Sequence, residues 1–459
     1  MDSGDEAYKI QAQVTFKRWF ILGIFCSITL LSAFQWNNLI IIPKEVKTIF
    51  NSSMPESITL KSHLMDLLST SYQIFYVIFM IPSSIIMDRK GLRFCGLISI
   101  SLVLLGCWIK TIAVHIASPR ETISFPILLI GQFLCAISNS FVLAIPSFLS
   151  ANWFSEKEIA MATSIGVLGN QLGIAFGFFL PPLIVGDLSD YDELKVEMLY
   201  LQYIGSILAT ITFFIVVFCY QSQPEHPPNK AQALKRKEIE VFLPENSDYI
   251  TTDFSVTAES NPGWKSLVRR KDFILLTLSY GLMVGVFYGI STLIDKILDV
   301  PFKDFPSGSG YAGTIIVVSG IFGSILCGFA LQKTGKYKIV NSIVYLASLL
   351  GMIGFLLAVE YNSPVLIFIL SGVLGFFMTG YLPLGFEFAA EITYPINEDL
   401  SSGILNTSAQ IFGIILVIIP RIMIESYGVL YANIFLTACM VGGFIMKLFI
   451  KERLLRRKI

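Results

Sequence analysis

Two aromatic side chains and a small set of amides are the residues of this 459-residue chain best suited to hold a ligand. Trp36 stands eighteen positions after Arg18, and Tyr288 stands eighteen positions after Arg270; each closes the first part of an apolar run that its arginine opens. A quaternary ammonium has no N–H to donate, so aromatic faces suit it, at roughly 0.5 to 2 kcal/mol per cation–π contact. Amides can then orient a hydroxyl. Asn170 and Gln410 correspond in the same way, through Asn170-Gln171-Leu172-Gly173 and Gln410-Ile411-Phe412-Gly413, and Asn139 adds a further amide. Gln35 and Gln171, beside these residues, are secondary candidates.

The elements that carry these residues must lie in a bilayer. The chain is 54% hydrophobic and 14% charged, far from soluble composition, where roughly 25% of residues are charged. Twelve stretches are apolar and long enough to span, near 19–42, 63–87, 92–114, 124–150, 158–185, 199–221, 272–297, 310–332, 339–360, 364–391, 402–423 and 428–450. The fold class is therefore an all-α membrane protein. Further echoes (Asp88-Arg89-Lys90-Gly91 with Gln332-Lys333-Thr334-Gly335, and Pro146 with Pro383) indicate that the chain is written twice. A duplicated chain of this hydrophobicity points to a transporter whose site lies between its halves. The expected organisation is a tail over 1–18, a six-helix bundle over 19–221, a linker over 222–266, a second bundle over 267–450 and a tail over 451–459.

With both termini in the cytoplasm, 24 Lys and Arg fall on inner segments and 9 on outer ones, out of the 33 present, which favours that orientation. Asn51-Ser52-Ser53 then lies in the first outer loop as a glycosylation acceptor. All seven Cys lie in or beside apolar segments, so no disulfide framework is expected. No constellation for catalysis, zinc or nucleotide phosphate is present: the three His are scattered and no Gly-Lys-Ser/Thr loop occurs. No enzyme activity, cofactor, metal or nucleic-acid partner is expected, and an ATP-driven pump is disfavoured.

The loop Asp88-Arg89-Lys90-Gly91-Leu92-Arg93 resembles the signature loop of the major facilitator superfamily, in which an acidic residue, basic residues and a glycine join the second and third helices. That resemblance implies a gating role for Asp88, Arg89, Gly91 and Arg93, with Gln332 departing from the pattern in the second half. Gly169, Gly173 and Gly177, and Gly320, Gly323 and Gly328, are read as sliding contacts between the halves. Ionisable groups fall near the ends of the spans: Lys110, Asp295, Lys296 and Glu360 outside, and Asp88, Glu387 and Glu391 inside. Helix centres without them argue for uncoupled, facilitated movement. Glu387 and Glu391 are assigned to the cytoplasmic gate or to stability.

From Met378 to Pro395 (MTGYLPLGFEFAAEITYP) the chain resembles the feline leukaemia virus subgroup C receptor family of facilitators. Supporting stretches are Ala33-Phe34-Gln35-Trp36, Val167 to Gly173, Phe179-Leu180-Pro181-Pro182, and Ser401 to Gly413. The resemblance implies twelve helices in two six-helix bundles and movement of choline and ethanolamine across the plasma membrane, an organelle membrane being the other location. It also implies that Trp36, Tyr288 and Gln410 hold the substrate, with Asn139 standing where the family has a glutamine. The expected function is facilitated, alternating-access uniport by a monomer. Two other readings are a haem transporter, which would want His or Met ligands that the cavity helices lack, and a non-transporting membrane receptor or sensor.

Overall fold

The computed structural model describes residues 15–55, 57–185, 190–228, 232, 267, 269–299, 301–303, 308–394, 396 and 398–451. Most of the expected linker and both tails lie outside them, as does a short amphipathic helix expected near 232–242. Every regular element among the described residues is helical. In chain order they are α1 (Lys17–Asn37), α2 (Pro43–Ile49), a 3-10 turn (Asn51–Ser53), α3 (Ile58–Ile116), α4 (Ser124–Ser140), α5 (Ile145–Trp153), α6 (Ile159–Val185) and α7 (Tyr191–Cys219). The second set is α8 (Lys271–Leu298), α9 (Gly308–Thr334), α10 (Tyr337–Glu360), α11 (Pro364–Thr393), α12 (Glu398–Tyr427) and α13 (Val429–Leu448).

Ten of the described helices are long and apolar enough to cross a membrane, or eleven if α4 and α5, bent by 44°, form one span. The remaining span is hidden in α3. A straight helix of 59 residues would reach about 90 Å, three times the hydrocarbon core. It folds back at Gly91, whose φ of 77° and ψ of 179° leave the helix. Hydrogen bonds prove the hairpin: Gln132 Nε2 of α4 donates to the Leu68 carbonyl while Lys110 Nζ donates to Gln132 Oε1. Lower down, Ser140 Oγ donates to the Phe75 carbonyl while Ser138 Oγ donates to that of Ser99. Residues 68 and 110 thus share one level and 75 and 99 another. The break between α4 and α5 comes just before Pro146, which lacks the N–H that would continue the upstream helix.

The helices form two groups. In the first, α1 packs on α6, α3, α4 and α7; in the second, α8 packs on α12, α13 and α11. The repeated arginines perform parallel jobs. Arg18 pairs with Glu158 at 2.8 Å and lies 5.7 Å over the rings of Trp19 and Phe154. Arg270 donates to the carbonyls of Ile392 and Thr393, both at 3.3 Å, at the last turn of α11. Each arginine ties the start of its group's first helix to the face from which the linker leaves, called here the linker face; the opposite one is the loop face.

Glycine stripes set how closely the helices approach. Contrary to the sliding role expected for them, Gly169, Gly173 and Gly177 face Cys26, Leu30 and Asn37 of α1, inside their own group. Gly320 and Gly323 likewise face Thr379 and Phe376 of α11, and Gly328 alone of these six meets the other group, at Ser164. Spacing by four fixes a stripe on one helix side without naming the neighbour. Here that neighbour is the adjacent helix, whose backbone comes close because no Cβ intervenes.

Candidate functional site

A cleft between the groups is lined by Tyr288 of α8, Asn170 and Gln171 of α6, Asn406 of α12 and Thr29 of α1, with Leu143 and Pro146 at the α4–α5 bend. Tyr288 is half-buried, and Asn170 and Gln171 are each 9% exposed. Asn406 Nδ2 donates to the Leu143 carbonyl at 3.3 Å, closing the cleft floor across the groups. Gln410 lies one turn above Asn406, beside Tyr288, and its Oε1 is buried without a hydrogen-bond partner. The space around Gly413 is bounded by Tyr288 and by Gln73 Nε2 of α3. An aromatic face, amide groups and an unmatched acceptor therefore converge from both groups.

Trp36 is not among the residues lining that cleft. Its indole stacks on Tyr72 of α3, with centroids 5.4 Å apart and planes inclined by 9°, and both pack against Cys135 and Ala136 of α4. Trp36 Nε1 is buried without a partner. The structure thus gives Trp36 an aromatic neighbour within its own group, beside the expected counterpart Tyr288 across the interface. Gln73, next to Tyr72 in sequence, has its Nε2 beside Gly413 of α12, where the Tyr288 ring also lies. Tyr72, Gln73 and Asn406 were not singled out from sequence: a tyrosine in an apolar run of α3 carries no mark of its partner. Asn139, 2% exposed, has its Oδ1 accepting from Ser32 Oγ at 3.4 Å. Gln35 is fully buried, its Oε1 accepting from Asn38 Nδ2 at 3.1 Å and its Nε2 left without a partner against Gly205 of α7.

Below the cleft, the groups are joined by hydrogen bonds toward the linker face. Ser147 and Ser402 hydroxyls lie 2.6 Å apart, Ser147 Oγ also reaches the Glu398 carbonyl, and Tyr76 Oη donates to the Gly403 carbonyl at 3.5 Å. Thr163 Oγ1 of α6 donates to Glu387 Oε1 of α11 at 2.5 Å, and Ser324 Oγ donates to the Ser164 carbonyl. Glu387 and Glu391 are each 1% exposed. Carboxylates so buried demand polar partners, and Glu387 finds one in the other group. Asp88 is exposed at the linker face, within electrostatic reach of Asp399 at the start of α12. Gly91 is where the chain must take a positive φ. Arg93, whose backbone N–H donates to Ser222 Oγ at 3.1 Å and whose Nη2 donates to the Val217 carbonyl at 2.9 Å, fastens the turn to the end of α7. Arg89 is exposed.

Two lysines near the ends of their helices are buried. Lys110 is fully buried among α1, α3 and α4; its Nζ donates to Gln132 Oε1 at 3.1 Å and to the Gln35 carbonyl at 3.5 Å, both neutral acceptors. It lies six residues from the end of α3, near the outer end of the span as expected, and its four-carbon stem carries the charge to these acceptors. Lys447 is also fully buried: Nζ donates to Asn341 Oδ1 and, at 2.9 Å, to Tyr381 Oη. It lies 4.2 Å over the Tyr381 ring and 5.1 Å over that of Tyr345. At the loop face, Asn51 is exposed and its Oδ1 accepts from Lys61 Nζ at 2.6 Å.

Residues 24–359 match the Major Facilitator Superfamily. The chain is similar to the choline/ethanolamine transporter flvcr2a of Danio rerio, with 40% identity over 442 residues covering 96% of this chain and 88% of that protein. It is similar to the choline/ethanolamine transporter FLVCR1 of Felis catus, with 36% identity over 98% of this chain and 75% of that one. Among solved structures it resembles the proton:xylose symporter XylE, with a TM-score of 0.74 and 14% identity over 96% of this chain and 98% of that one. At that identity the likeness concerns the fold alone.

Proposed function

The chain belongs to the Major Facilitator Superfamily and, within it, to the feline leukaemia virus subgroup C receptor family of membrane transporters, and on that footing we propose that it carries choline and ethanolamine by facilitated, alternating-access uniport. The observation that carries this reading is a cleft built from both groups in which Tyr288, Asn170 and Asn406, with Gln410 beside Tyr288, offer an aromatic face and amides, and in which no carboxylate is found among the described lining residues. A trimethylammonium is matched by rings and not by hydrogen-bond acceptors; the hydroxyl common to both substrates is matched by an amide.

On this reading the linker face is cytoplasmic, as the excess of Lys and Arg there favours. The hydrogen bonds from Ser147, Thr163 and Tyr76 to the second group, with that from Asn406 back to the Leu143 carbonyl of the first, then form a closed inner gate, and the cleft is served from outside. Substrate meets Tyr288 first, and rocking of the two bundles across 222–266 brings the Trp36–Tyr72 stack onto its other side. A cation moved without a counter-ion follows its gradient and the membrane potential, about 2.3 kcal/mol per charge per 100 mV. The protein acts as a monomer in the plasma membrane, with Asn51 on the outside for glycosylation.

Uptake of radiolabelled choline and ethanolamine into cells expressing the protein tests the proposal. Saturable uptake that depolarisation slows, and that Tyr288→Ala and Trp36→Ala both impair, is the expected result. Uptake of neither substrate above the background of cells lacking the protein would overturn it.

A further inference from the structure

Both backbones that carry the Trp36–Tyr72 stack are tied to one buried ammonium. Lys110, on the second arm of α3, packs on Gly131 of α4, where an added Cβ would fall 2.7 Å from Lys110 Cγ. The missing side chain lets the lysine stem pass, and the next residue, Gln132, receives its charge. Lys110 Nζ donates to Gln132 Oε1 at 3.1 Å and to the Gln35 carbonyl at 3.5 Å. Gln132 extends the connection, its Nε2 donating to the Leu68 carbonyl at 3.0 Å. Lys110, Gln132 and Gln35 are all fully buried.

The two carbonyls at the ends of this relay adjoin the two rings. Gln35 precedes Trp36 in the last turn of α1, where carbonyls run out of helical N–H partners and a cation complements the helix dipole. Leu68 stands one turn before Tyr72 on the first arm of α3. The relay thus grips the chain beside each member of a stack whose centroids are 5.4 Å apart. Among the described residues no carboxylate pairs with Lys110. A buried ammonium with neutral acceptors is costly, and apolar packing could tie the same helices at lower cost. What the ammonium adds is direction, because one centre addresses α1 and α4 together. We propose that Lys110 and Gln132 are positioning residues that hold Trp36 against Tyr72 for substrate, a role that rests on the reading of Trp36 as a choline contact.

Uptake of radiolabelled choline into cells, normalised to surface protein by biotinylation, tests the relay in wild type, Lys110→Met, Trp36→Ala and the double variant. Methionine keeps a stem across Gly131 and removes the N–H donors. Lys110→Met should raise the concentration for half-maximal uptake by about 2- to 30-fold, the span of one cation–π contact, with the maximal rate within about twofold of wild type. In the Trp36→Ala background the same substitution should add nothing, whereas a general loosening of the bundle would add its cost in either background. Gln132→Met severs the relay at its middle and carries the test if Lys110→Met does not reach the surface. If Trp36→Ala is impaired while Lys110→Met and Gln132→Met match wild type, the relay is overturned and the aromatic site stands. If Trp36→Ala itself takes up choline normally, the aromatic site falls and the relay with it. An effect of Lys110→Met that persists undiminished in Trp36→Ala also overturns the positioning role.

Discussion

Thr163→Val should open the gate at the linker face. The substitution keeps the β-branched shape and removes the one O–H that spans the groups to Glu387 Oε1. Thr163 is fully buried and Glu387 is 1% exposed, so no water replaces the lost donor while the groups stay together. When they part, the carboxylate is hydrated in variant and wild type alike. The bond to Glu387 is therefore lost from the closed arrangement alone, while the contact of Thr163 Oγ1 with Ser150 Oγ, 2.5 Å apart within the first group, is lost from both and cancels. A hydrogen bond to a charged group contributes about 1.5 to 3 kcal/mol, which corresponds to a shift of about 10- to 150-fold in the ratio of closed to open. Spin labels introduced as genetically encoded residues at Lys90 and Lys333, both exposed and on opposite groups, report the separation by pulsed dipolar spectroscopy. A longer-distance population should grow by at least an order of magnitude relative to the shorter one. A distribution that matches wild type within twofold would refute the assignment of this bond to the gate.

Other substitutions test the site and the scaffold. Tyr288→Ala and Trp36→Ala should each raise the concentration for half-maximal choline uptake, by about 2- to 30-fold for a contact of about 0.5 to 2 kcal/mol, without loss of surface expression measured by biotinylation. Asn139→Gln should raise choline affinity in the same uptake assay, since it adds one methylene of reach. Gly91→Ala places a Cβ at φ 77° and should cost about 1 to 2 kcal/mol, seen as a lower thermal midpoint in detergent. Gly173→Ala drives a methyl into the Leu30 carbonyl and should cost about 1 to 3 kcal/mol by overpacking, seen in the same measurement.

Hydropathy made the spans legible because lipid demands long apolar runs, and even the merged α3 was separable at Gly91, where the signature loop interrupts two such runs. Partners were less legible. The glycine stripes of α6 and α9 could be read as smooth surfaces, but whether the facing helix belongs to the same group is a tertiary fact; for five of six it does. Tyr288, Asn170 and Gln410 are marked by the internal repeat, which singles out a position without reference to its surroundings. Tyr72 has no such mark, so the ring that actually stacks on Trp36 went unseen. Lys110 shows the limit of position along a helix as a guide to depth: a flexible stem carries the charge to wherever acceptors wait, here Gln132 and the Gln35 carbonyl.

The two tyrosines over Lys447 have a consequence for selectivity. Rings at 4.2 and 5.1 Å from an ammonium constitute a cation receptor in their own right, yet its guest is a side chain of the same polypeptide. A tethered guest has an effective concentration that a dissolved one at ordinary levels does not match, so this receptor is permanently subscribed and invisible to choline. Possessing aromatic cages is therefore not what defines a cargo for this protein. On the proposed reading the cargo is met instead at Tyr288, whose cleft is lined by no Lys or Arg among the described residues.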